Sequence, residues 1–183
     1  MRSISGMILV GFMAIAVPAA AQTHGSHPHG TGTHPATPYA GLEQRPIKAL
    51  SDQQIADLRA GRGMGLALPA ELNGYPGPVH VLELADALRL TGAQRSRAKA
   101  LFEEMKTETV PLGARIISEE TALDRLFADQ TITRAMLTVV TARIATVQGE
   151  LRAAHLRYHL TMRDNLTPDQ IALYDEKRGY RRR

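Results

Sequence analysis

The sequence predicts an all-α fold, on three observations. Three stretches carry the pattern of a helix-opening capping box: Ser51-Asp52-Gln53-Gln54, Thr91-Gly92-Ala93-Gln94 and Thr167-Pro168-Asp169-Gln170. In each, the leading hydroxyl accepts a free N–H of the first turn, while the glutamine reaches back to the cap residue's own N–H. Between the second and third boxes, Leu137, Val140, Ile144, Val147, Leu151, Ala154, Tyr158 and Met162 recur at steps that keep them on one helix face. No stretch alternates apolar and polar residues over the length of a strand. The expected architecture is a long, bent antiparallel helical hairpin with short flanking helices.

Taken in order, residues 1–21 read as a secretory signal peptide. Met1-Arg2 gives a positive start, the apolar run from Met7 to Val17 is too short to span a bilayer, and Pro18-Ala19-Ala20-Ala21 supplies small residues for cleavage. A retained anchor is the alternative. Residues 22–40 form a leader of Gly, Ser, Thr, Pro and His without apolar periodicity, expected to be disordered. Residues 41–77 hold a short helix opened by Ser51, carrying Ile55 and Leu58 and ending at Gly61 or Gly63, then an irregular Gly/Pro-rich segment.

The segment 78–178 is the helical-hairpin domain. Pro78 opens a run through Leu82, Leu84 and Leu88 that ends near Leu90. Thr91 caps a long helix with Ala98, Leu101, Phe102, Met105, Leu112, Ile116, Leu123 and Phe127 on its stripe, and Pro111 inside it predicts a bend or a break. Asp129 to Thr133 reads as a tight connection, followed by a helix over about 133–164. The last helix runs from Pro168 to about Lys177, with Leu166 and Ile171 at hydrophobic-staple spacing. Lys177, Arg178 and the 179–183 tail with Arg181, Arg182 and Arg183 form a basic end. It reads either as a solvated, frayed terminus or as an electrostatic contact with lipid headgroups or an acidic partner.

The chain contains no cysteine, so disulfides, thiolate metal ligands and thiol nucleophiles are excluded. A net charge of +4 is no polycation, and nucleic acid is not an expected partner of an exported chain. Gly61-Arg62-Gly63-Met64-Gly65 lacks the preceding strand and the spacing of a dinucleotide fingerprint, and neither a nucleophile elbow nor an H-E-x-x-H zinc motif is present. The sequence therefore predicts a protein that is not an enzyme. A hairpin standing alone buries little apolar surface against its ordering cost, so two copies are expected to pack as a homodimer.

Leu90-Thr91-Gly92-Ala93-Gln94 and Leu166-Thr167-Pro168-Asp169-Gln170 are two copies of one word, L-T-x-x-Q. Two ordinary capping boxes are one reading of the pair. Together with the exported, cysteine-free, all-helical chain, the doubled word resembles the periplasmic Spy/CpxP family of Gram-negative bacteria, which includes the zinc-associated ZraP and the CnrX-type metal sensors. The resemblance covers about residues 78–178. It implies a periplasmic, non-enzymatic cradle, usually a homodimer of bent hairpins, that chaperones unfolded proteins, inhibits a membrane stress-signalling kinase, or binds metal and reports it. The motif residues that carry over are Leu90, Thr91, Gln94, Leu166, Thr167 and Gln170, expected to fix helix entry angles.

Two sets of side chains are candidates for that work. For client or partner contact they are Arg95, Arg97, Lys99 and Lys106 after the first box, with Arg143, Arg152 and Arg157 on the opposing helix. For metal they are His155, His159 and Met162, which share one side of a helix, with His80 assisting; two imidazoles and a thioether suit Co, Ni, Cu or Zn. His24, His27, His29 and His34 in the leader either bind such ions weakly or serve solubility alone. No cofactor is required for the first role, whereas a heavy-metal sensor or resistance protein is the alternative for the second.

Overall fold

The structure is a computed structural model that describes residues 38–180. The expected signal peptide, the four leader histidines and Arg181, Arg182 and Arg183 lie outside the described residues. After a single 3-10 turn at Leu42–Gln44 come α1 (Asp52–Arg59), α2 (Leu68–Glu71), α3 (Pro78–Glu83), α4 (Gly92–Ala128), α5 (Arg134–Asp164) and α6 (Pro168–Arg178). No strand occurs among the described residues, and the fold is all-α. The long helices α4 and α5 pack along each other as a hairpin. No described helix is long and apolar enough to cross a membrane.

All three capping boxes form. The hydroxyls of Ser51, Thr91 and Thr167 accept the N–H of Gln54, Gln94 and Gln170 at 3.2, 3.1 and 3.2 Å. The three glutamine Oε1 atoms in turn accept the cap N–H groups at 2.9, 3.0 and 2.9 Å. Helix α5 starts at the Thr133 hydroxyl, which accepts the Met136 N–H at 3.2 Å, and α6 stops at Gly179 with φ of 74°.

Three expectations about local structure are corrected. Of the bend or break expected at Pro111, the break does not occur: helix α4 runs unbroken past it, because buried Thr109, Gly113 and Ile116 tie it to its neighbours on either side of the missing donor. The helix after Pro78 ends at Glu83, well before Leu90; Arg89 takes φ of 52°, and the Leu90 N–H turns back to the Ala85 carbonyl at 3.0 Å. The segment 61–77 is not wholly irregular, since Pro69 sits in the first turn of α2.

The core has two parts. Val81, Ala85, Leu88, Leu90, Ala98, Leu101, Met162, Leu166 and Tyr174 form one cluster, at the end of the hairpin where the two L-T-x-x-Q words meet. Ile47, Leu50, Leu58, Ile116, Val147 and Leu151 form the other. The chain before residue 78 is thus core material: α1 lies on α4 and α2 on α5. That packing covers part of the hairpin surface from which a second copy was inferred.

The stripe on α5 also ends earlier than expected, with Val140 buried but Leu137 40% exposed. The basic end is not simply frayed. Arg178 lies 3.5 Å from Glu83 and 4.0 Å from the buried Glu71, and its Nε donates to the Tyr180 hydroxyl at 3.3 Å. These partners hold the last turn of α6 against the body of the protein.

Candidate functional site

The two L-T-x-x-Q words do more than cap their own helices. Gln94 and Gln170 face each other and exchange side-chain hydrogen bonds, Nε2 to Oε1, at 2.8 and 3.1 Å. Each amide spends its second N–H on a backbone carbonyl across the junction, Gln94 on Asn165 at 2.9 Å and Gln170 on Leu88 at 3.2 Å. Asn165 returns a bond from Nδ2 to the Gln94 carbonyl at 3.0 Å. Since each Oε1 already holds its own cap N–H, both amides use their full hydrogen-bonding capacity. Leu90 and Leu166, the leading residues of the two words, are buried in the same core cluster. The words therefore join the start of α4 to the start of α6.

One turn apart on α5, His155 and His159 are 3% and 8% exposed. Both line a cavity of about 600 Å³ roofed by the Gly-rich segment; Met64, Leu68, Val79, Phe102 and Met105 supply much of its apolar wall. The glycines explain how the segment comes so close. Gly61 has φ of 66°, and a Cβ there would stand 2.5 Å from the Thr109 hydroxyl, which donates to the Gly61 carbonyl at 3.3 Å. A Cβ on Gly77 would stand 2.8 Å from Cε1 of His159.

The two imidazoles are held differently. His159 Nδ1 lies 2.7 Å from the Tyr75 carbonyl. A carbonyl only accepts, so His159 Nδ1 carries a proton. His155 Nε2 is buried and has no hydrogen-bond partner among the described residues. Burial pushes the His155 pKa below 6.5, the neighbouring His159 pushes the same way, and Glu108 opposes them. The ring is thus neutral near pH 7.

Above pH 6.5 both folded and unfolded His155 are neutral and its contribution is complete. As the pH falls below that value, the unfolded chain binds a proton that the folded chain refuses, so stability declines towards the folded pKa. Thermal melts between about pH 7.5 and about pH 5 are expected to show a smaller loss for His155→Leu than for the parent. Equal losses in the two proteins would contradict this.

In the cavity lining, the carboxylate of Glu71 is a buried hub. It accepts the hydroxyls of Tyr174 and, at 3.0 Å, Tyr180; its other oxygen accepts the Gly77 N–H at 3.1 Å and lies 3.7 Å from His159 Nδ1. Burial, then the Glu71 hydrogen bond, raises the Tyr174 pKa far above the usual phenol range and keeps it a donor. Removing that donor in Tyr174→Phe is expected to cost about 1.5 kcal/mol, read by urea unfolding. No change in midpoint would mean that the carboxylate does not depend on this tyrosine.

His80 lines the cavity, its Nδ1 3.1 Å from Glu83. Met162 is fully buried in the apolar cluster and does not line the cavity with the histidines. Among the described residues no group of three or more His, Cys, Asp or Glu is arranged to hold a metal ion.

The basic set is largely neutralised within the chain. Arg95 pairs with Asp86 at 2.7 Å, Arg97 with Glu104 at 3.2 Å, Lys106 with Glu103 at 3.7 Å, Arg143 with Glu119 at 3.1 Å, and Arg157 with Glu108. Lys99 and Arg152 are exposed.

Sequence reasoning did not single out Glu71, Tyr75, Tyr174 or the cavity. Glu71 and Tyr174 meet across more than half the chain, and no local spacing announces the pair. The available signal was the density of glycine between 61 and 77, which marks close backbone approach. No protein-family model, no curated protein and no solved structure matches the chain.

Proposed function

We propose that this chain is a periplasmic, non-enzymatic stress protein of the Spy/CpxP type that holds unfolded or partner proteins on its helical surface. The observation that carries the reading is the closed end of the hairpin. There Phe127, Met136, Leu137 and Val139 are 54%, 37%, 40% and 56% exposed, on the last turn of α4 and the first turns of α5. Grouped apolar side chains left in water favour association with another apolar chain, and methionine adapts to varied partners. Because most of the basic candidates are ion-paired within the chain, capture is expected to rest on these apolar contacts and to change little with salt.

The test is light scattering of an aggregating, denatured client protein in the presence of the purified chain. Suppression that weakens in Phe127→Ser and Val139→Ser supports the proposal; aggregation unchanged by the parent protein ends it. The homodimer belongs to the same proposal and is read by sedimentation velocity, where a monodisperse monomer at micromolar concentration would remove it.

A second reading, a heavy-metal sensor or metal-binding resistance protein, is favoured by one observation, the unpartnered His155 Nε2 one turn from His159. Calorimetric titration with Ni, Co, Cu and Zn ions against His155→Ala/His159→Ala decides it. Identical isotherms for parent and variant remove this reading.

A further inference from the structure

We infer that a second copy of this chain docks antiparallel along the outer face of α5, setting Gly149 against Leu160 and Ala153 against Leu156 across a two-fold axis. The pairing rests on the homodimer reading above and gives it a surface and a register. Val140, Ile144, Val147, Leu151 and Ala154 turn one side of α5 into the protein. On the opposite side Ala142, Thr146, Gly149, Ala153, Leu156 and Leu160 follow one another at alternating steps of four and three. Leu156 is half-buried and the others are exposed, Leu160 at 53%. None of them is charged, although α5 carries Arg143, Glu150, Arg152, Arg157 and Asp164. The solvent side of a helix is ordinarily polar; an uncharged stripe at heptad spacing is the pattern of a helix that meets another helix.

Shape and charge select the occupant and its direction. Gly149 and Ala153 are the small residues of the stripe's C-terminal half, and Leu156 and Leu160 are the large ones. An antiparallel copy of the same face brings each leucine onto a small residue of the other chain, so every shared layer is filled from one side. In that register the flanking Glu150 stands across from Arg157 of the second copy, and Arg143 from its Asp164. The two-fold axis makes each of these opposite-charge pairs twice. Arg143, Glu150 and Arg157 remain exposed while paired to Glu119, Arg115 and Glu108 within the chain, and Asp164 is exposed as well.

Other arrangements bring like charges together, which is unfavourable across an interface. A slide of one heptad sets Glu150 against Glu150 in one direction and Arg157 against Arg157 in the other. A parallel pair would stack Gly149 on Gly149 and place Arg152 beside Arg157. A face complementary to itself in one register fits a second copy of the chain. The paired layers lie C-terminal to Val139 on α5, so the pairing and capture at the hairpin tip are tested separately.

The chain has no cysteine, so introduced thiols report the chosen contact alone. Nothing lies within 4 Å of a Cβ at Gly149, and Leu160 is exposed, so cysteine is accommodated at both places. The two positions are ~16 Å apart along the helix, too far for a bond within one chain. Oxidation of Gly149→Cys/Leu160→Cys with copper phenanthroline is expected to give covalent dimers, and either single variant is expected to stay uncrosslinked. By sedimentation equilibrium, Glu150→Arg is expected to weaken the dimer about tenfold. Adding Arg157→Glu is expected to restore it, although the double variant also loses the pairs to Arg115 and Glu108. A merely structural role for these residues would make the double variant worse. A dimer whose double-cysteine variant does not cross-link, whose single variants cross-link equally, or whose charge reversal brings no rescue would overturn this register and leave the homodimer standing. A parent protein that sediments as a monomer would overturn both.

Discussion

Replacing Gln94 or Gln170 by alanine is expected to cost about 2–3 kcal/mol each, and replacing both about 3–4 kcal/mol, less than the sum. Either truncation deletes the exchanged pair at 2.8 and 3.1 Å, one cap contact, and the bond to Asn165 or Leu88. A net value near 1 kcal/mol per bond gives the size, reduced because these groups are only part-buried and water replaces some of the contacts. Once the first glutamine is gone, the second has no partner amide left to lose, which is the source of the sub-additivity. Urea unfolding of the four proteins of the cycle yields the coupling directly. A coupling near zero would mean that the two capping boxes act independently.

The second large effect comes from one methyl group. In an exposed helix interior, Gly→Ala gains about 1 kcal/mol from propensity. At Gly113 the opposite is expected, a loss of about 3 kcal/mol, because the new Cβ would stand 2.2 Å from the Leu58 carbonyl oxygen and 2.8 Å from its carbon. The obstacle is backbone, so no side-chain rotation relieves it. Helix α1 must move off α4, and Leu58 leaves the cluster it shares with Ile116, Val147 and Leu151.

Gly149 on α5 is the matched control. Nothing lies within 4 Å of a Cβ there, and Gly149→Ala is expected to stabilise by about 1 kcal/mol. Hydrogen exchange should show the amides of α1 losing protection in Gly113→Ala and keeping it in Gly149→Ala. Two stabilised variants would show that α1 does not pack on α4 as described.

Which features were legible in the sequence follows from the range of the interactions that make them. Caps and stripes are local, so Ser51, Thr91 and Thr167 marked helix starts to the residue, and the spacing from Val140 to Met162 marked the buried side of α5. The course of the chain from 41 to 77 was not legible. Its position is set by contacts with residues far along the sequence, such as Gly61 on Thr109, Gly77 on His159 and Glu71 on Tyr174.

Pro111 predicted a bend or a break in α4, and packing on both sides prevents the break. At the candidate site, the histidine pair was visible as an i, i+4 spacing, whereas Met162 shares their side of the helix yet faces a different environment further along it. The doubled L-T-x-x-Q word was visible; that its two glutamines bond to each other required the third dimension.

The central functional claim is that unfolded chains are held at the closed end of the hairpin. It is tested most directly by placing a photo-reactive side chain at Phe127 or Val139, and in a control at Asp86, whose side chain is 97% exposed at the opposite end. Each protein is irradiated with an unfolded client whose disulfides have been reduced. Cross-links from positions 127 and 139 and none from position 86 are the predicted result. Equal yields at all three positions, or none at any, would contradict the account.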